Sequence, residues 1–293
     1  MNYIVGFGEA LWDILPNGKQ LGGAPANFAF HANQLGSPSC VVSAVGNDRL
    51  GNEIISEFGQ RNLNYICNTV DAPTGTVEVT LDAAGVPCYN IKEQVAWDNI
   101  PFTRTLSKLA EETQAICFGS LAQRNEHTRK TLYAFLNFMP REENRYKVFD
   151  INLRQHFYTR KIIKDSLELC NILKINDEEL ETVKELFDYK EETIENLCHS
   201  ILNDYRLKVL ILTCGTKGSY IFTGDTFSYL PTPKVEVADT VGAGDAFTAA
   251  FVVALLQGKE IQVCHQLAVD VSAYVCTQHG AMPTLPQNLL QVL

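Results

Sequence analysis

Short, continuous apolar runs alternate with segments of helical period along most of this 293-residue chain, and that rhythm limits the fold more than any other feature. The runs are Tyr3–Gly8, Val41–Val45, Ala115–Phe118, Val148–Ile151, Ile172–Ile175 and Val209–Thr213. A strand that is apolar at every position buries both faces, which a parallel sheet covered by helices on each side allows. Between the runs lie segments such as Thr193–Tyr205, where Ile194, Leu197, Cys198, Ile201, Leu202 and Tyr205 recur at helical spacing. The expected class is α/β, a doubly wound, mostly parallel sheet flanked by helices. The length admits two domains or one large α/β unit.

One segment breaks the rhythm. Thr74–Ile91 alternates through Thr76–Leu81, turns at Asp82–Gly85 and returns through Val86 to Ile91, which reads as an antiparallel hairpin. A small lid, an oligomer contact and a hairpin added at the sheet edge all fit that pattern.

Composition removes several function classes. Lys and Arg number 24 against 34 Asp and Glu, a formal charge of −10, and no basic run is present, so nucleic acid is not the expected partner. The most apolar stretch, Ala246–Leu256, is 11 residues long, short of the ~20 that span a bilayer, and reads as a buried helix. No membrane partner is expected. The N-terminus lacks the basic flank and long apolar region of a secretory signal, and the expected compartment is the cytoplasm. Nine cysteines, scattered from Cys40 to Cys276 with no Cys-x-x-Cys, indicate small core residues and neither a disulfide framework nor a zinc site.

The densest glycine constellation is Asp239–Phe247. It is expected to follow a strand at Lys234–Ala238 and to open an apolar helix capped at Gly258. The small residues Gly242, Ala243 and Gly244 let backbone amides approach a ligand, and with the helix dipole they form an anion site. Asp245 then has two readings. It is either the helix N-cap or a carboxylate that takes a hydroxyl proton as phosphate is transferred. A helix N-terminus is expected to lower its pKa, which phosphoryl transfer tolerates, because positioning and charge stabilisation count for more than basicity.

Other motifs are absent. Gly215–Ser219 lacks P-loop spacing, Phe247 stands where a dinucleotide fingerprint needs a small residue, and Gly119-Ser120 is no nucleophile elbow. The six histidines form no H-x-x-x-H pair and read as ordinary core or surface residues. Two further features stand near the N-terminus. Leu21–Asn27 is a paired-glycine turn before a helix ending at Leu35-Gly36, and Gly8–Asp13 leaves a strand end carrying a carboxylate, where open α/β sheets bind ligands.

Together these pieces resemble the ribokinase-like (PfkB) sugar kinases, and most closely their fructokinase branch. Gly22–Asn27 is similar to the family's N-terminal signature, and Asp239–Phe247 matches its C-terminal signature residue for residue. The resemblance spans nearly the whole chain. It implies a single ribokinase-like domain over residues 1–293, with a small antiparallel β lid drawn from about 9–21 and 74–99, and a homodimer contact through that lid.

By the same resemblance Asp245 is the catalytic base, and the amides around Gly242, Ala243 and Gly244 are the anion hole. Asp13, Gly22, Gly23 and Asn27 hold the sugar. Arg154, in the D-x-N-x-R segment Asp150–Arg154, reaches a phosphate or the substrate, unless it is only a surface ion pair. Asn176 and Glu179 match an N-x-x-E motif that organises magnesium and phosphates, with Glu179 as the metal residue; the bland alternative is a solvated acidic helix start. Thr213, Gly215 and Gly218 belong to the nucleotide loop.

The implied cofactors are ATP and Mg2+, with a monovalent cation, K+, left open. Val269, with Asp270 beside it, stands where relatives often carry Asn near the adenine, so base contacts are not implied. Fructose is the leading substrate. The other readings are ribose, tagatose or 2-keto-3-deoxygluconate as substrate, or a non-catalytic sugar- or nucleoside-binding regulator on the same fold.

Overall fold

The apolar runs are strands of one sheet in the computed structural model, which describes residues 2–16, 18–81, 87–224 and 226–292. The first third holds β1 (Tyr3–Phe7), β2 (Leu11–Leu15), β3 (Gly18–Gly22), α1 (Ala24–Gln34), β4 (Ser39–Gly46), α2 (Arg49–Gln60), β5 (Asn64–Val70), β6 (Gly75–Leu81) and β7 (Pro87–Ile91). The middle third adds α3 (Arg104–Glu111), β8 (Thr113–Phe118), α4 (Glu126–Phe138), β9 (Tyr146–Asp150), α5 (Arg160–Leu169), β10 (Ile172–Asn176), α6 (Asp177–Phe187) and α7 (Ile194–Asp204). Completing the chain are β11 (Val209–Thr213), β12 (Ser219–Phe222), β13 (Phe227–Leu230), α8 (Ala243–Leu256), α9 (Ile261–Cys276) and α10 (Gln287–Leu290).

Nine strands form the main sheet in the order β13-β12-β11-β10-β9-β8-β1-β4-β5. Strands β5 to β11 in that row pair parallel, and only β12 and β13 run antiparallel at one edge. The continuous apolar runs have the expected cause. Ile116 and Phe118 of β8 enter a core with Phe7, Phe135 and Phe149 on one face, while Ala115 and Cys117 enter a second core with α8 and α9 on the other. Helix α8 is buried from Ala246 to Ala254, so it is apolar all round and not along a stripe. The stripe of α7 buries Leu197, Cys198, Ile201 and Leu202 as the spacing predicts, but Ile194 at its open end is 46% exposed.

A second sheet, β3-β2-β6-β7, is the lid. It is mixed and not purely antiparallel, because β2 pairs parallel with β6. The reason is topological: β2 follows β1 and β6 follows β5, so both leave the carboxyl edge of one parallel sheet in the same direction. The hairpin partner β7 returns antiparallel to β6, while the expected turn at Asp82–Gly85 lies outside the described residues.

The expected strand Lys234–Ala238 is not formed. Residues 231–238 carry no regular structure and are exposed, with Val237 at 59%, because β13 already ends the sheet and no neighbour remains to pair with. Cys40, Cys117, Cys170, Cys198, Cys214 and Cys264 are buried as expected, while Cys67 and Cys276 are partly exposed; the described cysteines are free thiols.

Candidate active site

Strand β1 lies where the winding of the sheet reverses, between β4 and β8, the place where open α/β sheets bind ligands. Above that edge the first turns of α8 and α1 meet. Gly242 is the N-cap of α8 without any side-chain cap, so the N-cap reading of Asp245 fails: Asp245 sits inside the first turn. Only glycine fits at 242, since φ is 78° and a Cβ would lie 2.6 Å from Ala281 Cβ.

Asp245 Oδ2 instead accepts a hydrogen bond of 2.8 Å from Asn27 Nδ2 on α1. The expected lowering of its pKa is reversed as well. Burial pushes it up to about 7, Asp150 adds to the rise, and Asn27, Lys174 and Arg154 offset only part of it. Desolvating a carboxylate outweighs a helix dipole that contributes roughly 0.3–1 kcal/mol. The side chain keeps a partly exposed edge at the cleft while dense protein surrounds the rest.

Of the amides expected to form the anion hole, that of Ala243 bonds to Thr240 O at 3.3 Å, and that of Gly244 has no protein partner among the described residues. Lys174 stands beside it. A Cβ on Gly244 would lie 3.1 Å from Lys174 Nζ. The ammonium is buried in a 3.1 Å ion pair with Asp150. Burial alone would pull its pKa down, but the carboxylates of Asp150, Glu179 and Asp245 outweigh it and hold the ammonium above the ordinary lysine value.

Asp13, on β2, faces the same cleft. Gly22 on β3 lets the backbone pass so close that a Cβ there would lie 2.4 Å from Asp13 Oδ2. Burial raises Asp13 to about 6 against the pull of Arg154. Gly23, with φ 114°, caps α1, and Asn27 one turn on is buried. The surface ion-pair reading of Arg154 fails, because its exposed guanidinium makes no ion pair among the described residues and its field lowers Glu9, Asp13 and Asp245 together. Its loop is held in place by Leu153 N–H donating to Glu179 Oε1 at 2.9 Å, and Asn152 and Gln155 on either side have φ of 43° and 48°.

On the other flank Asn176 and Thr213 are register partners at the ends of β10 and β11. Asn176 and Glu179 form a capping box: Glu179 N–H donates to Asn176 Oδ1 at 2.8 Å and Asn176 N–H to Glu179 Oε2 at 3.0 Å. Glu179 is 5% exposed, so it is not a solvated helix start, and burial raises its pKa with Lys174 opposing. A Cβ on Gly215 would meet open space, whereas one on Gly218 would strike Leu230 O at 2.5 Å, so Gly218 serves the packing of β13. Val269 is buried in the core under α8, and Asp270 accepts from Gln266. His31 and His265 are buried core residues, hydrogen-bonded to Ala281 O and to Ser219 and Ser228.

Lys174 escaped the motif reading, and so did the charge of Asp150, quoted only as the start of D-x-N-x-R, and the burial of Glu9 inside Gly8–Asp13, where it feels the charge of Asp245. Lys174 carries a visible signal, a lone cation inside the otherwise apolar run Ile172–Ile175.

Known proteins share the sequence and the fold over most of the chain. The profile of the pfkB family carbohydrate kinases matches residues 16–288. The chain is 29% identical to an ATP-dependent 6-phosphofructokinase of Thermoanaerobacterium thermosaccharolyticum, over 92% of this chain and 82% of that one. It is 28% identical to a fructokinase of Klebsiella pneumoniae, over 95% of this chain and 94% of that one. An uncharacterized sugar kinase from Pyrococcus horikoshii, solved in complex with ATP, superposes with a TM-score of 0.81 at 26% identity and full coverage of both chains. No described helix is long and apolar enough to cross a membrane.

Proposed function

The chain belongs to the pfkB family of carbohydrate kinases and is an ATP-dependent sugar kinase; from that premise we propose that its substrate is D-fructose and its product fructose 6-phosphate. The Gly8–Asp13 opening, the Ala24-Pro25 pair after the glycines, and the Asp150–Arg154 segment support fructose, as do relatives named fructokinase.

One observation carries the mechanism. Asp245 is held by Asn27 at 2.8 Å beside the open amide of Gly244 and the Lys174 ammonium. In the proposed reaction the sugar hydroxyl oxygen attacks the terminal phosphorus of ATP, its proton passes to Asp245, and the bond to the bridging oxygen of ADP breaks. The Gly244 amide and Lys174 stabilise charge on the phosphoryl oxygens, as fixed donors in a dry site do. Asp13, Gly22, Gly23 and Asn27 bind the sugar; Arg154, exposed and felt by both Asp13 and Asp245, contacts the substrate. Thr213 and Gly215 line the nucleotide side, and Gly218 sets the shape of that loop.

The donor set fits Mg2+ that arrives on the ATP phosphates, not a metal caged by protein. No group of three or more His, Cys, Asp or Glu gathers among the described residues, and each Glu179 oxygen already accepts one backbone N–H. Asn176 and Glu179 would therefore steady the waters of the metal, which when bound neutralises phosphate charge. The reading extends to a homodimer through the lid.

The test is ADP release with fructose, ribose, tagatose, mannose, 2-keto-3-deoxygluconate and fructose 6-phosphate as acceptors. Fructose should give the highest kcat/KM, and Asp245→Ala should lower turnover by about 10²–10⁴-fold while remaining folded. A flat acceptor profile would overturn the fructose assignment, and a folded Asp245→Ala enzyme of normal rate would overturn the base.

A further inference from the structure

Glu9 is the buried carboxyl that the proposed chemistry leaves unused. It follows Gly8 at the carboxyl end of β1 and is 3% exposed. The backbone N–H groups of Glu9 itself and of Ala24, the first residue of α1, favour the ionised form of its carboxyl. Its Oε2, however, is buried without a partner, and so is Oδ1 of Asn27, the residue whose Nδ2 holds Asp245.

Two buried acceptors without partners are costly, because each has lost its water and gained nothing. A second buried negative charge would be costlier still. A protonated Glu9 removes that charge and turns an unmet acceptor into an O–H donor. The titratable and charged groups that face Glu9 are Asp245 from α8, Arg154 from the loop after β9 and the Cys117 thiol on β8. Asp13 faces Arg154 and Asp239 instead. Burial, with Asp245 adding to it and the amides and Arg154 opposing, pushes Glu9 up to about 7.

We propose that Glu9 is a positioning residue for phosphoryl transfer: it keeps its carboxyl protonated, so that Asp245 is the ionised member of the pair and takes the hydroxyl proton. This rests on Asp245 as the base. Such a pair releases its protons in two steps. The first, from Asp245, switches the enzyme on; the second, from Glu9, sets a new negative charge that competes for Arg154 and repels the incoming phosphates, and slows it.

The pH profile of kcat should therefore be bell-shaped. Glu9→Gln, which is neutral at every pH, should keep turnover within about threefold near the optimum, leave the acid limb within about a third of a unit, and lose the alkaline limb. An unchanged bell in Glu9→Gln, or an acid limb that falls by about a unit or more, overturns the proposal. The second readout needs no turnover. Carboxyl-carbon NMR of the wild-type protein, assigned with Glu9→Gln and Asp245→Asn, should show Glu9 titrating after Asp245, and the reverse order overturns it. Glu9→Asp serves for assignment if the amide variant does not fold. Reversed order with an inactive Asp245→Asn removes only the role of Glu9; a fully active Asp245→Asn removes the base as well.

Discussion

Asp245 pays for its position in stability. Its pKa rises from 3.8 to about 7 and that of Glu9 from 4.5 to about 7, so the folded chain binds more protons than the unfolded one between roughly pH 4 and 7. Stability contributed by these groups is full below that window and falls as pH climbs through it. Asp245→Asn should accordingly melt several degrees above wild type at pH 8, and the gap should close as calorimetry is repeated toward pH 4. A melting temperature that stays below wild type at pH 8 would contradict the buried, raised carboxylate. The same group shows the limit of motif reading. The residues Asp239–Phe247 mark a glycine-rich helix start, but which group holds the acid there is set by tertiary structure: Gly242 takes the cap position, and Asn27, which arrives from α1 far away in the chain, donates to Asp245.

At the scale of elements, the proposed anion site is a junction of α8 with β9 and β10. Lys174 on β10 and Asp150 at the end of β9 bind each other under Gly244, and Thr248 Oγ1 donates to Gly244 O at 2.9 Å from the next turn of the helix. Lys174→Met leaves Asp150 buried and unpaired, which should lower unfolding free energy by about 3–5 kcal/mol in urea titration. The double variant Lys174→Met with Asp150→Leu should recover most of that stability while turnover stays low, because the ammonium beside the proposed phosphoryl site is gone. Helix periods such as that of α7 were legible because packing and spacing agree. Lys234–Ala238 misled because alternation of Val235 and Val237 says nothing about whether a neighbouring strand exists to pair with.

For the whole molecule, the lid and the carboxyl edge of the main sheet bracket one cleft, with Asp13 from the lid and Asn27, Asp245 and Arg154 from α1, α8 and the loop after β9. Fructose at about a hundred times its Kd should raise unfolding free energy by about 2.7 kcal/mol, and ribose at the same concentration should raise it far less. Equal shifts for both sugars would mean that the cleft does not select. Sequence alone determined the α/β class, the two signatures and the catalytic Asp candidate, because apolar runs, helical periods and glycine spacing are local properties of the chain. Tertiary structure decided the mixed pairing of the lid, the buried Asp150–Lys174 pair, the closed box of Asn176 and Glu179, and the upward pKa of Asp245 and Glu9. Each of these depends on which distant groups share a low-dielectric space, and no spacing along the chain encodes how much water a side chain loses when the fold closes around it.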